Sequence, residues 1–118
     1  APIKAVLLDQ SLVAGIGNIY ASEALFGARI HPKRPANSLK KIEILMLISS
    51  ITEVLAAAIA SGGSTLRDYS GSDGEAGYFQ HAFKVYGHAN EPCSACKKLL
   101  KVETVAGRSS FFCENCQK

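Results

Sequence analysis

All four cysteines of this 118-residue sequence fall between positions 93 and 116, as two C-x-x-C pairs, Cys93/Cys96 and Cys113/Cys116, with sixteen residues between the pairs. Each pair forms a turn that aims two thiolates at one point, and the spacer is long enough for a two-stranded hairpin that folds one pair onto the other. Leu99 to Val105 and Ser109 to Phe112 read as its strands, with Ala106-Gly107-Arg108 at the turn. A four-thiolate tetrahedral site suits Zn2+, whose filled d shell imposes no geometry of its own. Three other uses of paired cysteines compete. Two disulfides belong in a secreted chain, and nothing here looks secreted. A redox pair belongs in a βαβ setting, which neither pair has. An iron–sulfur ligand set stays open on spacing alone. Zinc is the favoured reading, and a structural one, because four thiolates leave no open position for water or substrate. Residues 91–118 form a unit of 28 residues with only Leu99, Leu100, Phe111 and Phe112 for a core, so the metal is expected to contribute much of its folding energy.

The rest of the chain must fold by ordinary burial, and an apolar content of 47% supports a core. The net charge of +3 is compatible with nucleic acid without arguing for it, and the charge is spread evenly along the chain. No secretory signal and no span of roughly 20 apolar residues is read, so neither export nor a membrane is expected and the cytoplasm is the default. The opening Ala1-Pro2-Ile3-Lys4 lacks an initiator Met and runs straight into an apolar segment, as a chain cut from something longer would.

Ile3 to Gln10 reads as a short helix, followed by the glycine-punctuated stretch Ser11 to Gly17. Asn18 then stands where the N-cap of a second helix belongs, ahead of Ile19 to Phe26, and His31-Pro32 and Pro35 prevent its continuation. The longest helix is expected from an N-cap at Ser38 to about Ser61, where Gly62-Gly63 ends it, with Leu39, Ile42, Leu45, Ile48, Ile51, Leu55 and Ile59 as its core face. Ser64 is expected to cap a short helix through Tyr69. Ser70 to Gly77 reads as a mobile loop, and Phe79 to Tyr86 as extended chain.

These residues carry a resemblance. The run Leu8-Asp9-Gln10-x-x-Val13-x-Gly15-Ile16-Gly17-Asn18-Ile19-Tyr20-Ala21-Ser22-Glu23 resembles the helix–two-turn–helix motif of the formamidopyrimidine-DNA glycosylase and endonuclease VIII family. So do Gly62 to Tyr69, Ser72-Asp73-Gly74, Gly77-Tyr78-Phe79, Val85-Tyr86-Gly87, and the ending Arg108-x-x-Phe111-x-Cys113-x-x-Cys116-Gln117-Lys118, in the expected order over nearly the whole chain. The loop and the complete four-cysteine hairpin fit the oxidised-purine enzymes better than endonuclease VIII. The fold implied is mainly α: a helix–two-turn–helix bundle (1–69), a lesion-capping loop and connector (70–90), and a small zinc-stabilised β-hairpin (91–118).

The function implied is the DNA-binding C-terminal portion of a base-excision-repair glycosylase and AP lyase acting on 8-oxoguanine and formamidopyrimidines, in a bacterial cytoplasm. Gly17, Asn18, Tyr86 and Arg108 match phosphate-contacting positions, and Arg108 also matches the proton donor of the final elimination in the full enzyme. Ser72, Asp73, Gly74, Gly77 and Tyr78 match the loop that closes over a base swung out of the helix. One departure bears on activity. The family's nucleophile is an N-terminal proline in a separate β-sandwich domain, and that catalytic domain is missing here. Pro2 is acylated by Ala1 and has no secondary amine to attack a sugar. The chain alone is therefore expected to bind damaged or abasic double-stranded DNA as a monomer without excising bases. The competing class is a zinc-stabilised module that binds RNA or protein. The histidines, His31, His81 and His88, are assigned no role.

Overall fold

The computed structural model describes residues 1–9, 17–60 and 83–118. Three helices, α1 (Ile3–Leu8), α2 (Asn18–Ala28) and α3 (Lys41–Ala60), precede a hairpin of β1 (Lys101–Val105) and β2 (Arg108–Phe112), with a 3-10 turn at Ala36–Ser38. The expected helix through Tyr69 and the capping loop lie outside the described residues. Four cysteines cluster at the hairpin, and the mainly α architecture is as expected.

A helix leaves its first N–H groups without partners inside the helix. In α1 the segment before α3 supplies two of them: Ile3 N–H donates to the Arg34 carbonyl at 2.7 Å and Lys4 N–H to that of Pro32 at 3.2 Å. Ala36 N–H returns a bond to the Ala1 carbonyl at 2.8 Å. α2 itself ends on Arg29, in the left-handed conformation at φ 64°, and the proline-bearing segment after it holds α1.

Two helix starts differ from expectation. Asn18 is the first residue of α2 rather than its cap; the cap is Gly17, whose backbone is extended and whose carbonyl accepts from Ala21 N–H at 2.9 Å. Ser38 does not cap α3. Its hydroxyl donates to the Pro35 carbonyl and accepts from Arg34 Nε, inside the 3-10 turn. α3 opens three residues later, where Glu43 Oε1 reaches back to Lys40 N–H at 2.8 Å, as in one arm of a capping box. The Arg34 guanidinium holds the same carboxylate through two bonds of 3.0 and 2.8 Å, and with the Lys40 N–H lowers its pKa.

The core face of α3 is also rotated from the expected one. Leu47, Ser50 and Ala58 are buried, while Ile42, Leu45, Ile48 and Ile59 are exposed; of the expected face, Leu39 and Ile51 pack against the core. α3 is apolar nearly all round, so periodicity has no clear polar side to exclude. It is long and apolar enough to cross a membrane by length and composition, contrary to the expectation that no such span is present. The close approach to α2 decides the rotation. Gly27 presents no side chain to α3, and a Cβ there would collide with the Ser50 hydroxyl, which donates to the Ala24 carbonyl at 2.7 Å. This contact turns Leu47 toward Ile3, Leu7, Ala24 and Leu25.

In the hairpin, Lys101 pairs with Phe112 and Val105 with Arg108. Ala106 and Gly107 both have positive φ, 55° and 77°, as a two-residue type I′ turn requires. Arg108 therefore begins β2 and is not part of the turn. Phe83 to Tyr86 make bends and a turn instead of extended chain.

Candidate zinc centre and nucleic-acid interface

Each C-x-x-C turn is built by its backbone. Lys97 N–H donates to the Cys93 carbonyl at 2.8 Å with Lys97 at φ 73°, and Gln117 N–H donates to that of Cys113 at 2.9 Å. The hairpin then stacks the turns. Cys93 Sγ is 3.8 Å from Cys116 Sγ, Cys96 Sγ is 3.5 Å from Cys113 Sγ, and all four lie within 4.8 Å of one another. Sulfurs each about 2.3 Å from one zinc stand about 3.8 Å apart at the corners of a tetrahedron, so the donor set fits a single Zn2+. All four are free thiols, which removes the disulfide alternative. The Lys98 N–H, then the Asn115 side chain, hold Cys96 down at about 6, whereas burial pushes Cys116 up to about 12. A divalent cation is what allows four such neighbours to act as thiolates together.

The zinc unit is bolted to the helices at two places. On one side Gln117 is fully buried: its Oε1 accepts Cys113 N–H at 2.8 Å and its Nε2 donates to the Ile30 carbonyl at 3.0 Å. Lys118 N–H adds a bond to the Arg29 carbonyl at 3.1 Å. On the other side Lys4, buried on α1, donates from Nζ to the Ser109 carbonyl at 3.1 Å and to the buried Ser110 hydroxyl. Asn18 Nδ2 donates to the same Ser109 carbonyl at 3.0 Å. The start of α2, a buried ammonium and the start of β2 thus meet beside the exposed Arg108.

Among the described residues neither Lys4 nor Arg108 forms a salt bridge. Burial, then the Arg108 charge, lower the Lys4 ammonium to about 8. Both cations stand beside the Asn18 amide, Lys4 buried and bonded to Ser109 and Ser110, Arg108 exposed. The shift has a measurable consequence. Between about pH 8 and the ordinary lysine value the unfolded chain binds more protons than the folded one, so stability rises with pH across that window. Lys4→Met is expected to remove that rise. Urea unfolding of the zinc-loaded chain at about pH 7 and about pH 9.5 measures it, and an unchanged rise in the variant would show that Lys4 is not its source.

Tyr86 is half-buried, its ring edge-on to Phe111 of β2 at 4.9 Å and to Phe83 at 6.1 Å. The residues expected to cap a lesion, Ser72, Asp73, Gly74, Gly77 and Tyr78, lie outside the described residues. The structure therefore brings together Asn18, Arg108 and the zinc turns, with Gly17 capping the helix that carries Asn18. Sequence reasoning misses Lys4, Glu23 and Gln117. Glu23 and Gln117 stand in the runs that carry the resemblance but gain no role from it, and Lys4 is unmarked; each looks like a solvated polar residue until a partner far along the chain is supplied. His31 packs on Phe112 at 4.5 Å and takes no part in the metal site.

Residues 1–70 match the formamidopyrimidine-DNA glycosylase H2TH domain, and residues 90–118 match the zinc finger found in FPG and IleRS. The chain belongs to the formamidopyrimidine-DNA glycosylase family. The four cysteines are accordingly the ligands of a zinc finger of that family, holding one structural Zn2+. The family's enzyme from Neisseria meningitidis is 52% identical over 116 residues, which is 98% of this chain and 42% of that protein. The crystal structure of MutM (Fpg) from Thermus thermophilus superposes with a TM-score of 0.85 at 49% identity, over 98% of this chain and 44% of that one. Lactococcus lactis Fpg in complex with DNA containing an abasic site superposes at 0.87 with 45% identity, over 99% of this chain and 43% of that one. The chain thus spans about two fifths of the length of these relatives.

Proposed function

We propose that this chain is a DNA grip: the part of a base-excision glycosylase and AP lyase for oxidised purines that holds a damaged or abasic duplex by its phosphates. The observation that carries the reading is the junction at Ser109. There Asn18 and Lys4 hold one carbonyl, and Arg108, which forms no salt bridge among the described residues, stands next to it. The start of α2 adds the positive end of a helix, with Gly17 leaving its first N–H groups uncovered by a side chain. In this reading Asn18, Tyr86 and Arg108 contact phosphates, and the loop around Ser72 to Tyr78 closes over the extruded base. Arg108 would also donate the proton of the final elimination in a protein that carries the catalytic domain. A relative of the same fold bound to abasic-site DNA supports it.

These 118 residues by themselves are expected to bind as a monomer and to excise no base. The Pro2 nitrogen is an amide, and its carbonyl accepts from Ala5 N–H as it caps α1. Fluorescence anisotropy should show tighter binding to a duplex with an abasic analogue than to intact duplex or RNA of the same length. Borohydride should trap no covalent adduct with oxidised-purine DNA. A preference for RNA, or no preference, would sink the binding reading, and a trapped adduct would show an amine nucleophile in this chain.

A further inference from the structure

Glu23 is 8% exposed on α2, five residues after Asn18. Its carboxylate forms no salt bridge among the described residues. Three consecutive backbone N–H groups take its place: Lys84 donates to Oε1 at 2.7 Å, and Val85 and Tyr86 donate to Oε2 at 2.9 and 2.8 Å. A buried carboxylate survives only when such donors replace its water, and the same three bonds fix the backbone that supplies them. Val85, the middle donor, is fully buried in the cluster that contains Cys93 and Cys113. Tyr86, the last, sets its ring on Phe111 of the strand that Arg108 begins.

We propose that Glu23 is a positioning residue for DNA binding, which aims Tyr86 at a backbone phosphate by holding the amides of residues 84–86. This rests on the phosphate-contact reading above. The carboxylate touches no DNA itself. It sets where the chain enters the zinc unit, and so makes the Tyr86 contact and the Asn18 contact parts of one rigid surface. A general stabilising role would make the same three bonds, so the test must separate the two.

Glu23→Gln, Tyr86→Phe and the double variant, each confirmed to hold one zinc, are compared for binding to the abasic-analogue duplex. Glu23→Gln puts an NH2 against at least one of the three donors. It is expected to weaken binding about tenfold. The salt slope should not change, because no cation is removed. In the Tyr86→Phe background the same substitution should cost less than about twofold, because the aimed hydroxyl is already gone. An equal loss in both backgrounds would overturn the positioning role in favour of plain stabilisation. Should Glu23→Gln fail to retain zinc, Glu23→Asp goes through the same cycle, keeping the charge but withdrawing it by one methylene. If Tyr86→Phe has no effect, or the unsubstituted chain shows no preference for the abasic duplex, the phosphate-contact reading falls and this inference with it. If Tyr86→Phe weakens binding and Glu23 proves independent of it, this inference alone is overturned.

Discussion

Stripping the zinc is expected to abolish binding to abasic-site duplex, by at least about 100-fold, while leaving the helical signal largely intact. The two parts of the molecule do not depend equally on the metal. The helices have an apolar cluster of their own, built on Ile3, Leu7, Leu25 and Leu47. The zinc unit has only a small one, Leu100, Cys93 and Cys113, which it shares with Val85 and with Phe26 of α2. Leu99 and Val102 are 57% and 43% exposed, and its buried apolar side chains are Leu100, Val105, Phe112, Cys93 and Cys113. So few buried side chains are too small a core to order a unit of 28 residues, and the metal is expected to supply much of its folding free energy. Without it Arg108 loses the strand that aims it, and Lys4 and Asn18 lose the Ser109 carbonyl they hold. Chelation followed by anisotropy and circular dichroism reads both effects, and readdition of Zn2+ should restore binding. X-ray absorption of the loaded protein should show four sulfurs at about 2.3 Å. Chelated, metal-free protein that still bound the duplex would mean that the grip does not depend on the hairpin.

Arg108→Ala is expected to weaken the same complex about tenfold or more and to flatten its salt dependence by roughly 0.9 in the log–log slope, one displaced counterion. Asn18→Ala should also weaken binding, but leave the slope alone, because an amide displaces no cation. Both losses should be nearly independent of flanking sequence, since phosphate contacts carry no base information. The structure adds a coupling term. Asn18 holds the carbonyl of Ser109, the residue after Arg108, so removing its amide frees the strand start that carries the guanidinium. The double variant should therefore lose less than the product of the single losses. Arg108→Lys separates charge from geometry: the slope should survive while affinity falls, since an ammonium cannot make the paired contacts of a guanidinium. An unchanged slope in Arg108→Ala would exclude its contact with phosphate.

The parts of this protein legible in its sequence are those set by neighbours along the chain. Two C-x-x-C turns and the hairpin that joins them involve ligands only 23 residues apart, and their geometry follows from spacing and zinc coordination. Gly107 turns the hairpin through its own backbone, and apolar runs between proline- and glycine-bearing breaks mark α1, α2 and α3, so these elements could be read directly. The tertiary structure alone decided which way those parts face. α3 carries apolar residues on every side, and a gap at Gly27 against Ser50 chose the face that is buried. Asn18 could be read as a cap because caps prefer asparagine; that Gly17 caps α2, and that the Asn18 amide holds the Ser109 carbonyl, depends on a residue 91 positions away. Lys4, Glu23 and Gln117 meet their partners across separations of 105, 61 to 63 and 87 positions. A polar side chain on a helix or at a chain end looks solvated unless a distant carbonyl, hydroxyl or amide is brought to it, and only the packing of the zinc unit onto the helices brings these.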